Sequence, residues 1–188
     1  MADEALLAHQ DTLLRIARDA IGYGLRHGEA PRLPLQDLAA ELCEPRATFV
    51  TLELGHALRG CIGCLEAHQA LAADVNHNAF AAAFHDPRFS PLRSDEARRL
   101  DIHISVLSLP EPLIVKSETE LLAMLEPGID GLILEDRGRR STFLPAVWEQ
   151  LPDARAFVHQ LKRKAGWEDD YWTDTLVVKR YRTLSLPG

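Results

Sequence analysis

Cys61 and Cys64 stand three residues apart in LRGCIGC, between His56 and His68, and thiols and imidazoles are the ligand types that suit zinc. The set would have to wrap one ion within thirteen residues, and the segment reads as a strand, in which residues three apart point to opposite faces. Thioredoxin-like use of the pair needs a helix N-terminus, and the next helix begins only near residue 68. No metal and no cofactor is therefore expected. Arg59 precedes Cys61, and Gly60 and Gly63 flank it. A fixed cation favours the thiolate and can hold an anionic substrate, while glycine weakens a strand unless the backbone bends or something comes close. Cys61 is thus the best nucleophile candidate. The competing reading is a buried, inert cysteine, which describes most free cysteines.

Asp101, His103 and Ser105 supply the residue types of a hydrolase triad from one face of a strand. Neighbours on one straight strand lie ~6.5–7 Å apart and rarely hold a base from both sides, so a solvated outer face is expected. GxSxG, HExxH and phosphate-loop patterns do not occur. DPRFSPL at 86–92 sets Asp86 and Arg88 around two prolines just after a helix end, either lining a site or closing the turn as an internal ion pair. In KAGW at 164–167, Lys164 occupies a helix's last turn before Gly166, where a cation suits the helix dipole.

These residues must be carried by the elements around them. Leu6, Leu13, Ile16, Ala17, Ala20, Ile21 and Leu25 predict a helix from about Glu4 to His27, ended by Gly28. No strand precedes Gly22, Gly24 and Gly28, so they do not form a dinucleotide loop. LQDLAAEL predicts a short helix, Ala47 to Leu54 a strand, and Gly55-His56 the turn into a strand carrying LRGCIG. The Ala-rich run from about Gln69 to His85 predicts a close-packed helix that Asp86-Pro87 ends. LDIHISVL at 100–107 alternates as a strand, and Ser117 with Glu120 marks a capping box for ETELLAML. A hairpin turning at DRGR, a helix ARAFVHQLKRKA and a closing strand TLVVKRYRTLSL complete the chain. Helices and hairpins without regular alternation predict an α+β fold with a mainly antiparallel sheet flanked by helices.

Composition bounds the function classes. The 188 residues are 46% hydrophobic and 26% charged, and a chain of this size buries roughly 70% of its unfolded surface. One domain, 1–188, is expected, with any lobe boundary near Leu109-Pro110. A net charge of −7 and a pI near 5.6 argue against coating nucleic acid or an anionic membrane. No apolar run approaches membrane length and MADEALLAHQD lacks signal-peptide features, so a cytoplasmic protein with reduced thiols is expected. Charge is uneven: from Arg137 onward ten Lys or Arg oppose six Asp or Glu, a surface that could face an anion.

FVTLE at 49–53, LRGCIG at 58–63, AAAFHDPRF at 81–89, ISVLS at 104–108, GLIL at 131–134, LP at 144–145 and KAGW at 164–167, in this order, resemble the AMMECR-type domain family. Its prokaryotic members are called protein A of the AmmeMemoRadiSam system. The resemblance implies an α+β fold of two unequal lobes, with LRGCIG near the groove between them. It implies no reaction, since the family's name records co-occurrence with a Memo-like and a radical-SAM protein. Arg59, Gly60, Cys61, Ile62, Gly63, Asp86, Arg88, Phe89 and Lys164 match the motifs directly. Cys64, His56 and His68 fall outside them, and RSTFLP lacks the glycine often found before the family's Leu-Pro.

Two function classes follow. In the first, an anionic small molecule binds in the inter-lobe groove through Arg59 and Lys164, and Cys61 performs thiol-dependent chemistry. Backbone N–H groups near Gly60 and Gly63 would stabilise developing negative charge, and Asp86 would orient Arg88 or move a proton. In the second, the same motif is a docking surface on a non-catalytic partner of the Memo-like and radical-SAM proteins. Nucleotide or RNA contact through the basic last quarter is the weaker third expectation.

Overall fold

The apolar stripe near the N-terminus folds as two helices rather than one, α1 (Ala2–Leu7) and α2 (Gln10–His27), in a computed structural model that describes residues 2–188. The break at Ala8-His9 lets α1 lie against α3 (Ala40–Cys43), where His9 meets Glu41 at 3.8 Å. LQDLAAEL likewise divides into a 3₁₀ turn at Leu35–Asp37 and α3, because Leu38 and Ala39 take extended dihedrals and Leu35, Leu38 and Leu42 all reach the core. Two strands follow, β1 (Thr48–Leu54) and β2 (Ala57–Gly63), joined by a two-residue turn in which Gly55 and His56 both have positive φ. That pair of dihedrals matches the right-handed twist of the strands it joins.

After β2 come α4 (Leu71–Phe84), the four-residue α5 (Ser94–Ala97) and β3 (Leu100–Leu107). The second half of the chain holds β4 (Glu111–Pro112), α6 (Glu118–Met124), β5 (Gly131–Asp136), β6 (Arg139–Phe143), α7 (Ala154–Lys164), β7 (Val177–Tyr181) and β8 (Thr183–Pro187). The strands form two four-stranded sheets, β2-β1-β3-β8 and β4-β7-β5-β6, and each registered pair is antiparallel. Two compact units result: the first reaches Leu107 and includes Leu184–Gly188, and the second is Ser108–Thr183. The expected single closing strand is therefore two strands in different sheets. They part at Arg182, whose main-chain N–H and carbonyl are both held by Ser108, at 2.9 and 2.8 Å.

In the first unit, α4 packs against α2 and against β1 and β2. Alanines at 79, 82 and 83 are fully buried, and so small a surface lets the helix approach closely. Gly24 of α2 completes that contact, since a Cβ there would lie 2.5–2.9 Å from the rings of Phe84 and Phe80. Val50 and Leu52 of β1 and Ile102 and Ile104 of β3 face the same core.

In the second unit, Trp148 stacks on Phe157 of α7 with ring centroids 3.8 Å apart, and its indole donates to the Asp130 carbonyl. Ser117 caps α6 by accepting from the Glu120 N–H, while Glu120 reaches back to the N–H of Lys116, one residue beyond the box position. Asp153 caps α7. Among the described residues no helix is long and apolar enough to cross a membrane.

All three tryptophans belong to the second unit, so their fluorescence reports its unfolding. Truncating the fully buried Phe157 to alanine should lower that unit's stability by ~3–5 kcal/mol, read as a reduced urea midpoint of the fluorescence transition.

Candidate functional site

β2 is an edge strand, and its pairing with β1 slips once: Leu52 faces Gly60, Glu53 faces Leu58, and Arg59 is the extra residue of a bulge. A bulge re-aims the side chain it carries. Arg59 turns to Glu96 of α5 in a two-point ion pair at 3.0 Å on each arm, donates to the Ser90 carbonyl, and lies over the Phe89 ring. Gly60 is glycine because α4 passes directly over it: a Cβ would stand 2.1 Å from the Ala82 carbonyl oxygen. At Gly63 a Cβ would be 2.3 Å from the Thr48 carbonyl oxygen.

Cys61 follows the bulge, with its Sγ 3.3 Å from the Thr51 hydroxyl and its side chain half-buried. Its main-chain N–H donates to Asp86 Oδ2 at 2.9 Å, and its carbonyl accepts from Arg88 Nη2 at 3.3 Å. Arg88 also grips Asp86 through Nε and Nη2, at 3.0 and 2.8 Å, and through its own N–H. The DPRF loop is thus the internal ion pair that the sequence allowed, and it adjoins the strand that carries LRGCIG. Hydrogen bonds from Arg88 hold the buried Asp86 carboxyl well below the usual carboxylate range; burial opposes this, and the Cys61 N–H adds to it.

Cross-strand register places Cys61, Thr51 and His103 in one row across β2, β1 and β3, and Glu53 approaches His103 at 3.7 Å. Asp101 and Ser105 share that face, and among the described residues Asp101, His103 and Ser105 form no hydrogen bond with one another. Period-two alternation alone reveals this face but not which strands adjoin.

Cys64 belongs to a separate buried network. Asp74 of α4 accepts from the Thr48 N–H and hydroxyl, from Asn78 and from Gln69, and the Cys64 thiol contacts it at 3.6 Å. Burial pushes the Cys64 thiol pKa up, and the Asp74 charge adds to the rise. Sequence reasoning missed this network; Asp74 and Asn78, four apart in an otherwise apolar helix, are its trace. His56 lies in the β1–β2 turn and His68 pairs with Glu66 at the surface. Among the described residues no three His, Cys, Asp or Glu gather to hold a metal ion.

Lys164 lies in the second unit, where its ammonium donates to the Thr142 carbonyl and rests over Phe143. Neighbouring cations are engaged too: buried Lys162 pairs with Glu118 and donates to the Asp169 carbonyl, Arg163 pairs with Asp169, and Arg139 donates to the Gly166 carbonyl. Of the expected site residues, Arg59, Gly60, Cys61, Gly63, Asp86 and Arg88 share the first unit, and the hydrogen bonds above join Asp86 and Arg88 to Cys61.

The fold and this motif cluster define an α+β protein of the AMMECR1 family: the family model matches residues 14–186, and the chain belongs to that family. A protein of Methanothermobacter thermautotrophicus is 40% identical over 164 residues, 87% of this chain and 85% of its own. A Saccharolobus islandicus protein is 37% identical over 180 residues, 92% of this chain and 78% of its own. The crystal structure of the uncharacterized protein PH0010 from Pyrococcus horikoshii is similar with a TM-score of 0.75 at 32% identity, covering 93% of this chain and 88% of that one.

Because Asp86 titrates lower in the folded protein than in the unfolded chain, where a carboxyl has a pKa of ~3.9, its contribution is complete above that value and lost as pH falls below it. Asp86→Asn should lower stability at pH 7 by ~2–3 kcal/mol and flatten the loss of stability between about pH 5 and pH 2, measured by urea unfolding across that range.

Proposed function

We propose that this cytoplasmic protein presents Cys61 for thiol-dependent chemistry on a small anionic molecule, with Arg88 as the cation that meets it. The observation that carries this reading is the clamp on the Cys61 main chain, which fixes the residue while its thiol stays half-buried against a neutral hydroxyl. Positioning of this kind is what a nucleophile requires. Arg59 and Lys164, the cations expected to bind the anion, are turned to Glu96 and to the Thr142 carbonyl. Arg88 holds Asp86 by one edge and keeps 55% of its side chain exposed, so the anion-binding role passes to it. Asp86, kept ionised, orients Arg88 rather than carrying a proton, and the Cys61 N–H, already bound, is not a donor to developing charge. The reading calls for no metal, cofactor, membrane or nucleic acid, and the reducing cytoplasm keeps the three cysteines free.

Alkylation of each cysteine, followed against pH by mass spectrometry, tests this. Cys61 should react in the folded protein near neutral pH, faster with iodoacetate relative to iodoacetamide than Cys43 does, and Arg88→Gln should remove that preference. Cys64 should respond only above the ordinary thiol pKa of ~8.5. Reaction of Cys61 only after unfolding overturns the proposal.

A second reading has its own support: both motif arginines are paired with carboxylates, which leaves an ordered, electrically balanced surface suited to docking. Under it the partners are the Memo-like and radical-SAM proteins. Co-purification with them would then survive Cys61→Ser and fail in Arg59→Glu, whereas loss of cellular function in Cys61→Ser with association intact favours the thiol.

A further inference from the structure

α2 carries a glycine that its packing does not require. Gly24 is excluded from growing a side chain by the rings of Phe80 and Phe84, and Gly28 adopts a left-handed φ of +75° at the helix end. Gly22 has neither reason: it lies inside the helix, and a Cβ there would meet only the flexible end of Arg26, at 3.6 Å. A helix-interior glycine destabilises its helix relative to alanine, so its presence points to something the missing side chain leaves open.

What it leaves open is a cleft of about 250 Å³ between α2, the end of α5 and β3. Ile21, Ala97 and Leu100 give it an apolar lining, and Arg18 and Arg98 stand at its rim, both exposed. Among the described residues its lining includes no carboxylate. Among the described residues neither arginine has an ion-pair partner: of the acids within three residues of Arg98, Asp95 pairs with Arg93, Glu96 pairs with Arg59, and Asp101 makes no ion pair with it. On α2 the positions three and four residues from Arg18 are Leu14, Arg15, Ile21 and Gly22, and Asp11 and Asp19 of the same helix border a neighbouring hollow with Arg18 without pairing to it. An apolar pocket with a few convergent polar groups is the usual form of a small-molecule site.

We propose that this cleft binds a small organic anion with an apolar body: the body lies along Gly22 and Leu100, and the carboxylate or phosphate is held by Arg18 and Arg98. The volume admits about eight water-sized groups at ~30 Å³ each, which is the size of a six-carbon carboxylate. This site is independent of Cys61 and of the function proposed for it.

Sodium hexanoate titrated into isotope-labelled protein should shift the amide resonances of Gly22 and Ala97 saturably, while hexylammonium chloride at the same concentrations leaves them in place. Gly22→Leu fills the cleft and keeps both guanidiniums; Arg18→Glu with Arg98→Glu keeps the cleft and reverses its charge. Each should weaken hexanoate binding by about tenfold or more. Gly22→Leu should not lower the melting temperature, because it removes a helix-interior glycine, so its loss of binding reads as occlusion rather than unfolding. Non-saturating shifts spread over the surface, an equal response to hexylammonium, or unchanged affinity in Gly22→Leu would each overturn the proposal.

Discussion

An edge strand leaves one row of amide and carbonyl groups without a ladder partner, and at Cys61 that gap is closed by side chains rather than by another strand. Asp86 accepts from the Cys61 N–H and Arg88 donates to its carbonyl, so the pair performs on one residue what a neighbouring strand would perform along its length. The pair is itself locked by two side-chain hydrogen bonds, which are charge-assisted and therefore short and directional. The direction of the Cys61 thiol along the sheet face rests on this clamp. So does the link between two motifs that lie 25 residues apart in the chain.

The clamp is continuous with a second contact. The bulge at Arg59 swings its guanidinium off the ladder toward Glu96, Ser90 and Phe89, and Phe89 also lies under Arg88. Two cations and two carboxylates are thereby balanced within one small region. A buried guanidinium is a poor anion trap, whereas one that stands in solvent keeps a face for a ligand. Arg59 and Arg88 each hold a carboxylate through Nε and Nη2 and differ in burial, at 12% and 55% side-chain exposure. Pairing likewise separates Arg18 and Arg98, which have no ion-pair partner among the described residues, from the basic residues of α7, which are nearly all tied down.

The two glycines of LRGCIG serve packing. Gly60 admits the backbone of α4 and Gly63 admits the carbonyl of Thr48 and the ring of Phe49, so the motif's spacing reflects what presses on β2 from either side. That close approach brings the Ala-rich α4 onto the sheet. It also delivers Asp86, two residues beyond the helix's last residue, to the amide it must satisfy.

The kinds of elements, their order and the family were legible in the amino-acid sequence, because periodicity, caps and turn residues act between near neighbours. Val50, Leu52, Ile102 and Ile104 could be assigned to a core by alternation, Gly28 and Ser117 to helix ends, and LRGCIG with DPRF to a family. Which distant groups meet was settled by the fold. The division of the last strand at Arg182, the bulge that turns Arg59 to Glu96, the capture of the Cys61 peptide by Asp86 and Arg88, and the alignment of Cys61, Thr51 and His103 all depend on register and chain crossing. The cations show why: a lysine or arginine reads as a potential ligand until the fold supplies a carboxylate or carbonyl within reach, and local spacing does not encode that supply. Lys164 and Arg59 found such partners inside the protein, and among the described residues Arg18 and Arg98 did not.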